Sequence, residues 1–141
     1  MIVLAYDHRA FGLMRKIKEY LNKIGEEYVE FASATYTPND SYSEFAKQAN
    51  QYLIAHEGSK GIYSCRTGIG IAMAGNRSKG VRAGVCTSVK TTFLARNDDD
   101  MNVLVLPATT PFIRVKKIIN TFLSTPFEGG RHIPRVKALD D

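Results

Sequence analysis

Gly61-Ile62-Tyr63-Ser64-Cys65-Arg66-Thr67-Gly68-Ile69-Gly70-Ile71-Ala72-Met73-Ala74-Gly75-Asn76-Arg77 is the stretch on which the reading of the whole chain turns. A short apolar run passes into a hydroxyl- and glycine-rich turn carrying one cysteine, and small and apolar residues follow. The pattern predicts a buried strand, a tight turn and the first turns of a helix. Such a turn aims several backbone N–H groups at one point, and a helix N-terminus adds partial positive charge, so the place suits an anion. A thiol held there is expected to gain thiolate character from the same dipole.

Working outward, the flanking sequence alternates strand-like and helix-like patterns. Ile2–Tyr6 is an apolar run ending in Asp7-His8, two polar groups at the carboxyl end of a predicted strand. Met14, Ile17, Leu21 and Ile24 recur at spacings of three and four, which predicts an amphipathic helix closed by Gly25. Tyr28–Phe31 reads as a second strand, residues 35–43 as a polar loop containing Pro38 and Asp40, and Phe45, Ala49, Tyr52 and Leu53 as a second helix. Beyond the central stretch, residues 80–86 read as a fourth strand, and Thr87 or Ser88 as the cap of a helix containing Phe93 and Leu94. Asn97-Asp98-Asp99-Asp100 breaks that pattern before a fifth strand at 102–106. Phe112, Val115, Ile118, Ile119, Phe122 and Leu123 then supply one more apolar face. Parallel strands need long crossovers, so this alternation predicts an α/β fold, a parallel sheet with helices on both faces. In such sheets ligands sit beyond the carboxyl ends of the strands, where Asp7, His8, Cys65 and Thr67 all fall.

The chain of 141 residues, 44% hydrophobic and 23% charged, fits one globular domain spanning 1–141. No apolar run reaches the ~18 residues of a membrane span. The first strand starts at Ile2, leaving no room for a leader peptide, so a cytoplasmic protein is expected. Two cysteines, Cys65 and Cys86, are too few for a disulfide framework or a zinc site. The formal net charge of +5 is spread along the chain without blocks or aromatic rows, which argues against a nucleic-acid or membrane partner.

Thr67-Gly68-Ile69-Gly70 is not a dinucleotide fingerprint: Met73 stands where the third glycine belongs, and the motif follows the third strand. No Gly-Lys-Ser or Gly-Lys-Thr is present, so there is no P-loop. A lone cysteine is commonly a small buried hydrophobe. That reading suits Cys86, within an apolar strand, whereas Cys65 opens a glycine-rich turn beside Arg66 and reads as reactive. His8 reads equally as a capping residue or, beside Asp7, as an imidazole oriented toward substrate. Arg131 and Arg135 are either a solvated helix face or a fork for phosphate, and Asp98 to Asp100 read as a solvated loop.

Taken together, Tyr6-Asp7-His8, Tyr42 with Phe45-Ala46, Cys65-Arg66-Thr67-Gly68-Ile69-Gly70 with Asn76, Asn102-Val103-Leu104, and Phe127-Glu128-Gly129-Gly130-Arg131-His132 with Arg135-Val136 resemble the type B ribose-5-phosphate isomerases and the related galactose-6-phosphate isomerase subunits. The likeness spans essentially the whole chain. It implies a Rossmann-like three-layer domain with a five-stranded parallel sheet and a C-terminal helical tail. It further implies a homodimer, often paired into a tetramer, with active sites at the subunit interface and neither metal nor organic cofactor. The implied reaction interconverts ribose 5-phosphate and ribulose 5-phosphate through a cis-enediolate, a step of the pentose phosphate pathway. By the same resemblance Cys65 is the base, Thr67 assists proton movement, and Gly68, Ile69 and Gly70 supply backbone donors. Asp7 and Tyr42 contact the sugar, and His8, Arg131 and Arg135 hold phosphate or substrate.

Four positions depart from the family pattern. Arg66 replaces a glycine and is expected either to deepen the positive field at the substrate or to point away to solvent. Asp98 stands where the family has its ring-opening histidine, and Asp99 where it has asparagine, so ring opening is expected to fall to Asp98 or His8. Thr109 replaces an arginine, which shifts phosphate binding toward Arg131 and Arg135. The competing expectations are an isomerase of a six-carbon phosphosugar, such as galactose 6-phosphate or allose 6-phosphate, and a non-catalytic protein that binds sugar phosphate.

Overall fold

The computed structural model describes residues 1–141. Its five strands are β1 (Ile2–Tyr6), β2 (Tyr28–Phe31), β3 (Lys60–Cys65), β4 (Ala83–Val85) and β5 (Val103–Pro107). They pair throughout in parallel, in the order β2-β1-β3-β5-β4. The helices are α1 (Phe11–Lys23), α2 (Tyr42–Ala55), α3 (Ile69–Gly75), α4 (Val89–Asp99), α5 (Phe112–Ser124) and α6 (Ile133–Ala138), with short 3-10 turns at His8–Ala10 and Gly130–His132. No helix is long and apolar enough to cross a membrane.

Strand order dictates the layers. The chain leaves β1 for β2 in one direction and returns past β1 to β3 in the other. Right-handed crossovers therefore place α1 and α2 on opposite faces of the sheet. α3 joins α2, while α4 and α5 join α1. Because both faces are covered, the strands are apolar without interruption, and the two-residue period sorts their side chains. Leu4, Ile62, Leu104 and Leu106 pack with Met14, Ile17, Leu21, Ile118, Ile119 and Phe122 on one side. Val3, Ala5, Val103 and Val105 pack with Ala46, Ala49, Leu53 and Ile71 on the other.

The first three strands and three helices follow the sequence reading. Gly25, with φ +79°, turns the chain at the end of α1. Ile24 lies outside the buried face that Met14, Ile17 and Leu21 form. The fourth strand is shorter than expected. Gly80 turns at φ +85°, and the Asn102 side chain replaces the ladder there, donating to Gly80 O at 2.8 Å and accepting from Arg82 N at 2.8 Å. Asn76 likewise brackets Ala83, accepting from its N–H at 2.8 Å and donating to its C=O at 2.9 Å. The outer edge of β4 is thereby partly closed to further pairing.

Residues 97–99 do not break the helix before β5, since they form the last turn of α4. Asp100 then ends it in the left-handed region, at φ +48°. In α4 Phe93 and Leu94 are exposed, and the buried residues are Thr92 and Arg96. Arg96 donates to Met101 O at 2.6 Å and to Thr125 O at 3.0 Å. A guanidinium tying two loops together thus occupies the buried face of the helix.

Candidate active site

Tyr6 pairs with Ser64 in the β1–β3 ladder, which puts Asp7 beside Cys65 at the carboxyl ends of the strands. This is the point at which strand order reverses, the usual ligand position in such sheets. After Cys65 the chain turns in three residues. Gly68 takes φ +79°, and a Cβ on it would stand 3.1 Å from Val105 Cγ1, so the position needs glycine twice over. Thr67 Oγ1 accepts from Ile69 N at 3.2 Å, which leaves its O–H proton free to donate elsewhere. The first amide of α3 to reach back into the turn is Ala72 N, to Gly68 O at 3.0 Å. The N–H groups of Gly68, Gly70 and Ile71 have no partner within the chain.

Against this turn lies Tyr42, the first residue of α2. A Cβ on Gly70 would meet Tyr42 Cζ at 2.7 Å and its Cε1 and Oη at 2.8 Å, so the ring rests on α3 only because residue 70 lacks a side chain. Asp7, Tyr42, Cys65, Arg66, Thr67, Ile69 and Gly70 line the resulting cleft of about 390 Å³. Cys65 is a free thiol, 5% exposed.

Asp7 is buried, and one of its oxygens accepts from Arg9 N at 3.0 Å. Burial pushes its carboxyl above the ordinary aspartate value, only partly countered by that amide and the neighbouring His8. The imidazole of His8 is oriented by Asp40 rather than by Asp7. Asp40 Oδ1 receives both His8 N, at 2.8 Å, and His8 Nδ1, at 2.9 Å, while Ser33 Oγ donates to Asp40 Oδ2 at 2.8 Å. Burial alone would raise Asp40, but the His8 amide, the His8 ring and the Ser33 hydroxyl outweigh it and hold the carboxyl below its usual value. With Nδ1 engaged, Nε2 is the nitrogen left for a ligand. Tyr36 stands edge-on to the ring, with centroids 6.2 Å apart.

The remaining expected site residues are not at this cleft. α4 runs back from Ser88, after the carboxyl end of β4, to the amino end of β5, so Asp98 and Asp99 lie at the opposite edge of the sheet from Cys65. The length of β3 alone, about 17 Å, separates those edges. Within one chain Asp98 neighbours His132, and Asp99 lines a separate cavity with Arg77, Arg82 and Asp140. Arg131 and Arg135, in the 3-10 turn and in α6, are exposed beside that same amino edge, since the backbone of Glu128 is bonded to Asn97 O at 3.0 Å. One chain thus brings Asp7, His8, Tyr42, Cys65, Arg66, Thr67, Gly68, Ile69 and Gly70 together and leaves Asp98, Asp99, Arg131 and Arg135 elsewhere.

A model of the ribose/galactose isomerase family matches residues 2–139. The chain belongs to the ribose/galactose isomerase family. Within that family it is 32% identical over 139 residues to the ribose-5-phosphate isomerase B of Escherichia coli, covering 98% of this chain and 93% of that one. Among solved structures it superposes on a ribose 5-phosphate isomerase of Thermotoga maritima with a TM-score of 0.92 at 39% identity, covering 99% and 96% of the two chains. A ribose-5-phosphate isomerase B of Mycoplasma genitalium, solved with bound ribulose 5-phosphate, gives a TM-score of 0.92 at 35% identity, covering 98% and 92%. The five-stranded three-layer architecture is that of these ribose/galactose isomerase structures.

Sequence reasoning missed the orienting pair of Asp40 and Ser33. The only signal was an aspartate closing a polar loop just before the α2 cap. Nothing local connects residues 8 and 40 until β1 and β2 pair.

Proposed function

We propose that this protein is an aldose–ketose isomerase that interconverts ribose 5-phosphate and ribulose 5-phosphate through a cis-enediolate. The observation that carries the reading is the Cys65 thiol at a cleft where the amides of Gly68, Gly70 and Ile71 are unpaired. Removing a proton beside a carbonyl requires a base and a fixed set of donors for the oxygen that becomes negative. Each such donor contributes roughly 3 kcal/mol at the transition state. The ligand bound to the Mycoplasma genitalium relative is a product of this chemistry, which supports a five-carbon substrate.

In this reading the Cys65 thiolate takes the C2 proton of the open-chain aldose and returns it to C1. The free O–H of Thr67 carries a proton between the two enediolate oxygens. Asp7, with one oxygen already bound to Arg9 N, offers the other to sugar hydroxyls, and Tyr42 Oη does the same from the facing helix. Ring opening is assigned to His8 Nε2, because Asp40 fixes the other nitrogen. Asp98 is not assigned that role: its Oδ1 accepts from Asn97 Nδ2 at 2.9 Å and faces His132. Arg66 adds a cation at the cleft mouth.

The site is completed by a second copy of the chain, which brings Arg131 and Arg135 to the phosphate. Supporting this, Ile69, Met73, Val85, Val89 and Phe93 leave an exposed apolar face along α3, β4 and α4, and Ile69 belongs both to that face and to the cleft. The homodimer would bury the face and set one subunit's tail at the other's cleft. The enzyme is placed in the cytoplasm, where a catalytic thiol stays reduced. The test is incubation of the purified protein with ribose 5-phosphate beside allose 6-phosphate and galactose 6-phosphate. Faster turnover of the pentose phosphate is expected, and no ribulose 5-phosphate above background would overturn the proposal.

A further inference from the structure

We infer that the protein carries a second activity, separable from isomerisation: His8, positioned by Asp40 and Ser33, opens and closes the furanose ring of the aldose phosphate without help from Cys65. The inference rests on the proposed reading of the substrate and concerns the step before proton transfer, in which the ring must give up its hidden carbonyl. Asp40 Oδ1 accepts from both His8 N, at 2.8 Å, and His8 Nδ1, at 2.9 Å. Ser33 Oγ donates to Oδ2 at 2.8 Å, so the carboxylate is held at both oxygens. Tyr36 meets the imidazole edge-on, at 76°, and Phe11 meets Tyr36 in the same way, at 87°, which wedges the plane of the ring. Asn39, at φ +63°, takes the left-handed turn that delivers Asp40 to this place. The His8 and Asp40 side chains are only 15% and 9% exposed, and Asp40 has no other cationic partner.

With its Nδ1–H donated to Asp40, the neutral imidazole keeps a lone pair on Nε2, which makes no bond within the chain. Nε2 takes the proton of the anomeric hydroxyl, and the electron pair left on O1 forms the carbonyl. The C1–O4 bond breaks with its pair moving to O4, and the imidazolium returns the proton there. Between the two transfers the ring is a cation, and the fixed charge of Asp40 stabilises it. Closure on either face of the freed aldehyde runs the same steps backwards, so the α and β anomers exchange on the protein. No step uses the thiol. Ribulose 5-phosphate forms no such ring, because its O5 carries the phosphate and its O4 would close only a strained four-membered one. Exchange of its C1 proton therefore needs Cys65 and bypasses Asp40.

The experiment is NMR saturation transfer between the α and β C1 protons of ribose 5-phosphate in the presence of Cys65→Ser, which leaves the sugar unisomerised. Anomer exchange above the buffer rate is expected, falling at least about tenfold when Asp40→Asn is added and by less when Ser33→Ala is added. Asp40→Asn alone should turn over ribose 5-phosphate at least about tenfold more slowly. The same variant should exchange the C1 proton of ribulose 5-phosphate in D2O at near the parental rate, a split that a merely structural role would not produce. Anomer exchange no faster than buffer with Cys65→Ser, or unchanged by Asp40→Asn, overturns the inference. Equal loss of ribulose 5-phosphate exchange in Asp40→Asn overturns it too, since Asp40 would then support the whole cleft. Failure of the parent to form ribulose 5-phosphate would refute the isomerase reading instead, and the anomer exchange would still decide this one.

Discussion

Replacing Gly70 with alanine separates the cleft's geometry from the stability of the fold. The new methyl would lie 2.7–2.8 Å from three atoms of the Tyr42 ring. Carbon contacts settle at about 3.5–4.0 Å, so the ring must retreat by roughly 1 Å. Tyr42, 38% exposed at the start of α2, has room to swing outward. Residue 70 has negative φ within α3, so alanine costs nothing in backbone strain and gains up to about 1 kcal/mol in helix propensity. The loss falls on the substrate: one hydrogen bond from Tyr42 Oη is worth about 1 kcal/mol, or roughly fivefold in kcat/KM. Steady-state turnover of ribose 5-phosphate should therefore drop about fivefold while the melting temperature holds or rises slightly. The decisive control is the same change in a Tyr42→Ala background, where the methyl meets empty space and its penalty should shrink below about twofold. An equal penalty in both backgrounds would refute the idea that Gly70 acts by seating Tyr42.

Asp7 and Asp40 should respond oppositely to pH. Burial raises Asp7, so the folded chain holds that proton more tightly than the unfolded one, and stability is lost as pH rises through the window above about 4. Asp7→Asn should thus resist urea better than the parent at pH 7, with the advantage fading by about pH 3.5, while turnover collapses. Asp40 is lowered, so its contribution is present above about pH 4 and lost below it. Urea melts of Asp40→Asn should show a deficit at pH 7 that closes in acid. Met73, 65% exposed on the apolar face, should tolerate glutamate in the fold but not in the assembly. Sedimentation velocity should find Met73→Glu monomeric and inactive. Finally, an equal mixture of Cys65→Ala chains with Arg131→Ala chains should recover about a quarter of parental turnover, because half the random dimers carry one intact site of two. No recovery on mixing would mean that a single chain supplies both residues to its cleft.

The central strand, turn and helix were legible because their signals are local. An apolar run ending in Cys65, a glycine at a left-handed position and small residues after it leave few alternatives. The alternation of strands and helices was legible for the same reason. α4 was not, because Arg96 is buried by bonds to Met101 and Thr125 that no periodicity announces, and this rotates Phe93 and Leu94 outward. Among the site residues, Asp7, Cys65 and Thr67 were legible as strand-end groups. Asp40 was hidden because its partner lies 32 positions away. Asp98 was named by the family pattern, which fixes a position in the chain; α4 carries that position to the far edge of the sheet, beside the tail that holds Arg131 and Arg135.

The most direct test of the account is proton exchange at C2. Ribose 5-phosphate incubated in D2O with the parent protein, followed by proton NMR, should lose its C2 proton signal as ribulose 5-phosphate forms. Cys65→Ser should bind the sugar phosphate yet exchange that proton at least about 100-fold more slowly, the scale of a lost general base. Exchange by Cys65→Ser at near the parental rate would contradict the account, because the proton would then leave to some group other than the thiol at the end of β3.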